Sequence, residues 1–307
     1  MNESILITGA NIGLGKETAR QLAKNPETKK IYLACRNPEK AKIAKQDLER
    51  LTGKSIFEIV ILDITSPYSV RKAVKELAQP VDALVLNAGG MGGKNPNTKT
   101  DSGMNFISAT NLLGHVVLVD ELIKADKLKK RVVYVSSEAA RGIKKMGMKR
   151  PDLKTSSKDE FISILDGTFF GQKFDPAQAY GHVKYVGALW MSSLAREHQN
   201  IEFISISPGA TKGTAVADNL PGMLKFMFKY VMFPIVMPIR GMVHSTEKGA
   251  ARYVEALNNP KFKSGEFYAS HEEKVTGPLM EQSVIFSDLK NPAFQDNANQ
   301  ALHSFIS

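Results

Sequence analysis

Apolar residues in this chain come as short β-branched and aliphatic runs, separated by longer stretches in which they recur every three to four positions. The runs are Ile5 to Ile7, Ile31 to Leu33, Phe57 to Leu62, Ala83 to Leu86, Val132 to Val135 and Phe203 to Ile206. Near-continuous apolar strands belong to sheets covered on both faces, and the amphipathic stretches between them supply the cover. Helical spacing and breaker residues predict helices over about Leu14 to Lys24, Glu39 to Leu51, Tyr68 to Leu77, Asp101 to Ala125, Pro176 to His198 and Ser245 to Asn258. The expected class is therefore α/β and doubly wound: a central parallel sheet of about seven strands with helices on both faces, in one domain over residues 1–307. Two segments break the rhythm. Residues 138–179 form a basic, glycine-containing insertion with Arg141, Lys144, Lys145, Lys149 and Arg150 near its start. Residues 213–240 are rich in Met, Phe and Pro from position 220 onward.

The first apolar run leads directly into Thr8-Gly9-Ala10-Asn11-Ile12-Gly13-Leu14-Gly15. Glycines there permit a tight turn, close backbone approach to a pyrophosphate and packing of the following helix, whose amino terminus favours an anion. The spacing is Gly-x-x-x-Gly-x-Gly, not the general dinucleotide fingerprint, although position and physical logic agree with it. At the end of the second run, where an acid would bond the ribose hydroxyls of NAD, the chain reads Ala34-Cys35-Arg36-Asn37. With no carboxylate to repel a phosphate, and the Arg36 guanidinium suited to bidentate contact, NADP(H) is the expected cofactor.

Tyr180-Gly-His-Val-Lys184 lies on a predicted helix. Residues four apart on a helix are neighbours at about 5–6 Å between Cβ atoms, so Lys184 is expected to favour ionisation of Tyr180 and bring its pKa towards neutrality. A phenol tuned in that way exchanges a proton with a substrate oxygen.

Composition narrows the alternatives. The 307 residues carry 41 Lys and Arg against 31 Asp and Glu, a formal charge of +10, but the basic residues are dispersed and accompany no zinc spacing, helix-turn-helix or aromatic RNA motif, so no nucleic-acid partner and no metal site are expected. The charge suits an anionic cofactor or an acidic membrane surface. A single cysteine, Cys35, and an apolar run starting almost at the initiator methionine point to a cytoplasmic protein without a signal peptide. In the second irregular segment, Leu224, Met227, Phe228 and Val231 share a helical face beside Lys225 and Lys229, and Pro234 and Pro238 interrupt the apolar run from Tyr230 to Ile239. That is too broken for a bilayer span. A lid over a bulky apolar substrate, a membrane-peripheral surface and ordinary packing all remain open.

Taken in order, these motifs resemble the short-chain dehydrogenase/reductase family over essentially the whole chain. Further matches are Leu62-Asp63-Ile64, Asn87-Ala88-Gly89, Asn111-Leu112-Leu113-Gly114-His115, Ser136-Ser137 and Pro208-Gly209. The resemblance implies a Rossmann fold in which Gly9, Asn11, Ile12, Gly13, Leu14, Gly15, Arg36, Asp63, Ile64, Asn87, Ala88, Gly89, Pro208 and Gly209 line the cofactor. Asp63 would contact the adenine amine, and Pro208-Gly209 would approach the nicotinamide. It makes Tyr180 the proton donor or acceptor, Ser137 the partner of the substrate oxygen, Lys184 a contact to the nicotinamide ribose, and Asn111 the holder of a relay water. His182 and His115 are expected to be structural.

The long gap between Ser137 and Tyr180, together with Cys35-Arg36-Asn37-Pro38 and Phe174-Asp175-Pro176-Ala177-Gln178-Ala179-Tyr180, is similar to the retinol-dehydrogenase-like and protochlorophyllide-reductase-like branches. A protochlorophyllide reductase would be expected to carry a cysteine in the insertion, and none is present. The expected activity is interconversion of a hydrophobic alcohol and its aldehyde or ketone. Reduction of an activated carbon–carbon double bond is an alternative, and a non-catalytic NADP-binding sensor is another. Family relatives often dimerise through the helices bearing Asn111 and Tyr180, whereas the long insertion favours a monomer, so both states remain open.

Overall fold

The computed structural model describes residues 2–144, 147–211 and 243–306. Eight strands form one sheet in the order β3-β2-β1-β4-β5-β6-β7-β8. They are β1 (Ser4–Thr8), β2 (Lys30–Cys35), β3 (Phe57–Ile61), β4 (Val81–Leu86), β5 (Leu128–Val135), β6 (Glu202–Ile206), β7 (Phe267–Ser270) and β8 (Leu279–Glu281). The pairings from β3 to β7 are parallel, and β8 closes the edge antiparallel to β7. The strand order reverses between β1 and β4, and in open α/β sheets a ligand crevice opens at such a point beyond the carboxyl ends of the strands.

Side chains along the central strands alternate between two cores. Ile5 and Ile7 of β1 join one cluster with Ala83 and Val85 of β4 and Ile204 and Ile206 of β6; Leu6, Leu84, Leu86 and Phe203 join the other. A strand buried on both sides must be apolar at both parities, which is why these runs are continuous. Helices α1 (Gly13–Leu22), α2 (Pro38–Thr52) and α7 (Thr246–Asn258) cover the first face. The second is covered by α3 (Pro67–Glu76), α4 (Phe106–Lys124) and α6 (Pro176–Glu197), with α5 (Lys158–Asp166) and α8 (Pro292–His303) packed outside α6. α6 is consequently buried along its whole middle, from Gly181 to Leu194.

Local chemistry sets most helix ends. Asn37, Asp175 and Ser245 accept hydrogen bonds from first-turn amides of α2, α6 and α7, and Pro38 and Pro176 stand where no amide is needed. α4 starts at Phe106, behind the N-cap Asn105, later than the expected Asp101. It is long and apolar enough to cross a bilayer by length and composition, yet most of it is packed inside the protein. At Ala109–Leu113 it widens into a π-turn. Gly114 follows immediately, and a Cβ there would stand 2.2 Å from the Ile64 carbonyl oxygen, so glycine lets the helix lie against the turn after β3.

Candidate active site

At the switch point the Thr8–Gly15 loop has the form an anion needs. Gly9 (φ +66°) and Gly13 (φ +57°) lie in the left-handed region, and a Cβ on Gly15 would sit 2.5 Å from the Gly9 carbonyl oxygen and 2.7 Å from Asn87 Nδ2. Ile12, with its side chain in solvent, precedes α1, whose first turn has no side-chain cap and no acidic residue. First-turn amides left uncapped are the usual partners of a pyrophosphate, so the loop fits a dinucleotide. Asn11 and Leu14 are half-buried beside it.

The loop is fastened to the Asn87–Gly89 turn through one hydroxyl. Thr8 Oγ1 accepts from the amides of Asn87 and Ala88, each at 2.9 Å, while Asn87 Nδ2 donates to the Thr8 carbonyl at 2.8 Å. His115 Nδ1 lies 3.1 Å from the Asn111 carbonyl and Nε2 lies 3.0 Å from Thr8 Oγ1. A carbonyl only accepts, so the proton is on Nδ1 and Thr8 donates to Nε2. Burial, with Lys184 adding to it, pulls His115 down to about 3, so the imidazole is neutral.

At the adenosine end, Arg36 is exposed, with Nη1 3.7 Å from Asp63 Oδ2. The other Asp63 oxygen accepts from the amide and hydroxyl of Thr65. Ile64 packs against the core and against Gly114.

Four residues proposed for chemistry converge from three elements. Ser137 is the second residue after β5, Tyr180 and Lys184 share α6, and Asn111 sits in the π-turn of α4, where its Nδ2 donates to the carbonyls of Gly90 and Ile107 at 2.7 Å each. Such widened turns present a side chain and free a carbonyl, and are frequent at functional sites. A Cβ on Gly89 would lie 2.5 Å from Asn111 Oδ1 and 3.6 Å from Lys184 Nζ, so these two groups meet beneath the Asn87–Gly89 turn. Lys184 Nζ donates to the Val135 carbonyl at 2.8 Å and lies 4.9 Å from the Tyr134 ring centroid and 5.6 Å from that of Tyr180.

The expected acidification of Tyr180 is not what the structure gives. Burial pushes the phenol up to about 12; a hydrogen bond with Ser137 lowers it, and the Glu138 carboxylate raises it further. Burial also pulls Lys184 down to about 7. Helical spacing brought the pair together, but it does not report that both are desolvated, and desolvation favours each neutral form.

Pro208-Gly209 follows β6 on the other side of the crevice. Gly209 has φ +74°, and a Cβ would meet His244 Nε2, the Val275 carbonyl oxygen and Arg252 Nη1 at 2.8–2.9 Å. His244 Nε2 donates to the Pro208 carbonyl at 2.6 Å. Glu138, Arg252 and His244 were not anticipated from sequence. A signal existed for Arg252, which interrupts the buried stripe Gly249, Ala250, Tyr253, Ala256 and Leu257 of α7 and so demands a buried partner. The proposed lid, 213–240, lies outside the described residues. His182 is buried among Phe169 and Phe170, with Nδ1 2.8 Å from the Gln178 carbonyl, a packing role. No cluster of metal-ligating side chains occurs among the described residues.

Residues 3–148 match the family model described as short chain dehydrogenase. The chain is 37% identical over 296 residues to retinol dehydrogenase 13 of Mus musculus, covering 92% of this chain and 80% of that protein. It is 30% identical over 295 residues to the chloroplastic protochlorophyllide reductase of Daucus carota, covering 89% and 71%. Among solved structures, the NADPH-bound carbonyl reductase from chicken fatty liver shares the fold with a TM-score of 0.57 at 19% identity, over 90% of this chain and 99% of that one.

Proposed function

The chain belongs to the short-chain dehydrogenase/reductase family of oxidoreductases, and we propose that it interconverts a hydrophobic alcohol and its aldehyde or ketone with NADP(H), Tyr180 serving as general acid/base. The observation that carries this reading is the convergence of Ser137, Tyr180, Lys184 and Asn111 beside a glycine loop that fits a dinucleotide. Gly9, Asn11, Ile12, Gly13, Leu14 and Gly15 would hold the pyrophosphate, Arg36 the 2′-phosphate, Asp63 and Ile64 the adenine, and Asn87, Ala88, Gly89, Lys184, Pro208 and Gly209 the nicotinamide half. The nicotinamide, when bound, supplies or accepts the hydride. The substrate oxygen gains negative charge as hydride arrives, and the Ser137 and Tyr180 hydroxyls meet it as oriented donors, a form of stabilisation often worth several kcal/mol. Tyr180, protonated across the physiological range by its burial, then gives up its proton, which suits reduction at neutral pH. Asn111, whose side chain is bonded to Gly90 and Ile107, would hold a water that returns one.

Relatedness to a retinol dehydrogenase supports an apolar alcohol or carbonyl substrate, with retinoid-like, steroid-like and long-chain compounds as candidates. Relatedness to a protochlorophyllide reductase keeps reduction of an activated double bond as the second reading. The single cysteine, Cys35, supports a reducing, cytoplasmic setting, with membrane contact through 213–240 as an addition. A panel of apolar aldehydes, ketones and enones with NADPH separates the two reactions. Tyr180→Phe is expected to lose at least a hundredfold in turnover while still binding NADPH. Undiminished turnover in that variant removes the general-acid assignment.

A further inference from the structure

Glu138 follows the serine Ser137 directly and is 3% exposed. Its Oε2 accepts from the Ser207 hydroxyl, and Ser207 Oγ in turn accepts the Gly209 amide at 3.0 Å. Its Oε1 accepts from the Ser270 hydroxyl at 3.0 Å and the Ser270 amide at 3.3 Å. Arg252, 6% exposed on α7, lies with Nη1 3.5 Å from Oε1 and donates to the Ser207 carbonyl at 3.0 Å, to Ser270 Oγ at 3.1 Å and to the Gly277 carbonyl at 2.8 Å. Arg141 completes the group: its Nη2 donates to the carbonyls of Ser270, His271 and Lys274. A buried carboxylate is costly unless paired and fully hydrogen-bonded, and this one is both. What it joins is specific: the segment after β5, the turn after β6 and the end of β7, and the Ala210 amide ties that turn to the loop after β7 through the Val275 carbonyl at 2.7 Å.

We propose that Glu138, through Arg252, is a positioning residue that fixes the distance between the Ser137–Tyr180 hydroxyl pair and the Pro208-Gly209 turn, and so sets where the nicotinamide half of the cofactor stands relative to the proton donor. The inference rests on the reaction proposed above. Parting Ser207 from the carboxylate leaves the hydroxyl that accepts the Gly209 amide free to turn, and a shift of even 1 Å between reacting partners lowers rate far more than it lowers binding. Glu138 also acts on Tyr180 through its charge. The charged and titratable groups involved are Arg252, Arg141 and His244 around the carboxylate, with Lys184, Tyr134 and Tyr253 around the phenol.

The test compares Glu138→Gln with wild type in three measurements. With NADPH and an accepted carbonyl, kcat is expected to fall tenfold or more while the NADPH dissociation constant moves by less than threefold. Hydrogen exchange at the Gly209, Ala210 and Ser270 amides is expected to quicken at least tenfold, with α1 and β2 unchanged. Ultraviolet titration, with Tyr180→Phe as the blank, is expected to show Tyr180 ionising at lower pH, because a facing negative charge has gone. The last two need no turnover, so a failed reaction assignment leaves them standing. If Glu138→Gln does not fold, Glu138→Gln/Arg252→Gln removes both charges and is expected to fold with slow turnover and fast exchange. Wild-type kcat, exchange and titration in whichever variant folds overturns the proposal.

Discussion

Arg36→Ala is the sharpest test of the cofactor assignment, because its size can be worked from the geometry. Arg36 is held in the structure by one exposed pairing, 3.7 Å from Asp63 Oδ2. Two unit charges at that separation in water attract by about 1 kcal/mol, and exposed pairs return about 0–1 kcal/mol after screening and lost side-chain freedom. The guanidinium is therefore cheap to redirect. A charge-assisted contact to a phosphate contributes about 1.5–3 kcal/mol, leaving a net preference of about 1–2 kcal/mol for the 2′-phosphate once the Asp63 pairing is surrendered. That corresponds to roughly 5–30-fold in the ratio of NADH to NADPH dissociation constants. The ratio can be measured from the fluorescence of the reduced nicotinamide at two ionic strengths, and salt should shrink the preference, since the contact is exposed. Asp63→Asn frees the guanidinium without removing it and should widen the NADPH preference by a few fold. If Arg36→Ala leaves the ratio within twofold of wild type, or NADH binds wild type as tightly as NADPH, the 2′-phosphate assignment fails.

Burial sets two pH dependences. His115 is neutral when folded, near 3, and ionises near 6.5 when unfolded, so between those values the unfolded chain binds more protons and stability falls as pH drops from 6.5 towards 3, by up to about 5 kcal/mol. Urea midpoints should decline over that window in wild type and less steeply in His115→Gln; a level wild-type profile would contradict the buried, neutral assignment. Lys184, near 7 when folded, loses its ammonium as pH rises through that value, long before Tyr180 ionises near 12. The falling alkaline limb of kcat/KM for reduction should therefore lie near 7, and Lys184→Arg, whose charge persists above pH 12, should retain no limb there if it keeps activity.

How much of the molecule was legible in the chain depended on whether the signal was local. Runs such as Ile5 to Ile7 and Ala83 to Leu86 are apolar at both parities because each feeds two cores, so the parallel sheet and its order of elements could be read directly. β7 and β8 could not, being short edge elements, and β8 makes the eighth strand antiparallel where about seven parallel ones were expected. Inside the insertion, Ser157 and Glu160 carry a capping pattern, Ser157 accepting from the Glu160 amide at 3.3 Å, a local signal for the start of α5 that the surrounding basic and glycine residues mask. Motif spacing likewise placed Tyr180 and Lys184 on one helix, because a helix fixes neighbours four apart, whereas Ser137 beside them was implied only by the family resemblance.

Spacing carries no information about dielectric. The structure shows Lys184 enclosed by the Val135 carbonyl and the faces of Tyr134 and Tyr180, and burial opposing ionisation of both amine and phenol. Proximity predicted an acidified tyrosine; burial instead holds the phenol protonated at neutral pH. The sign of the most important electrostatic effect at the site was thus set by burial, with the Glu138 charge adding to it, and no Tyr-x-x-x-Lys pattern contains either. A site assembled from several loops and two helices discloses its components in one dimension and its polarity in three.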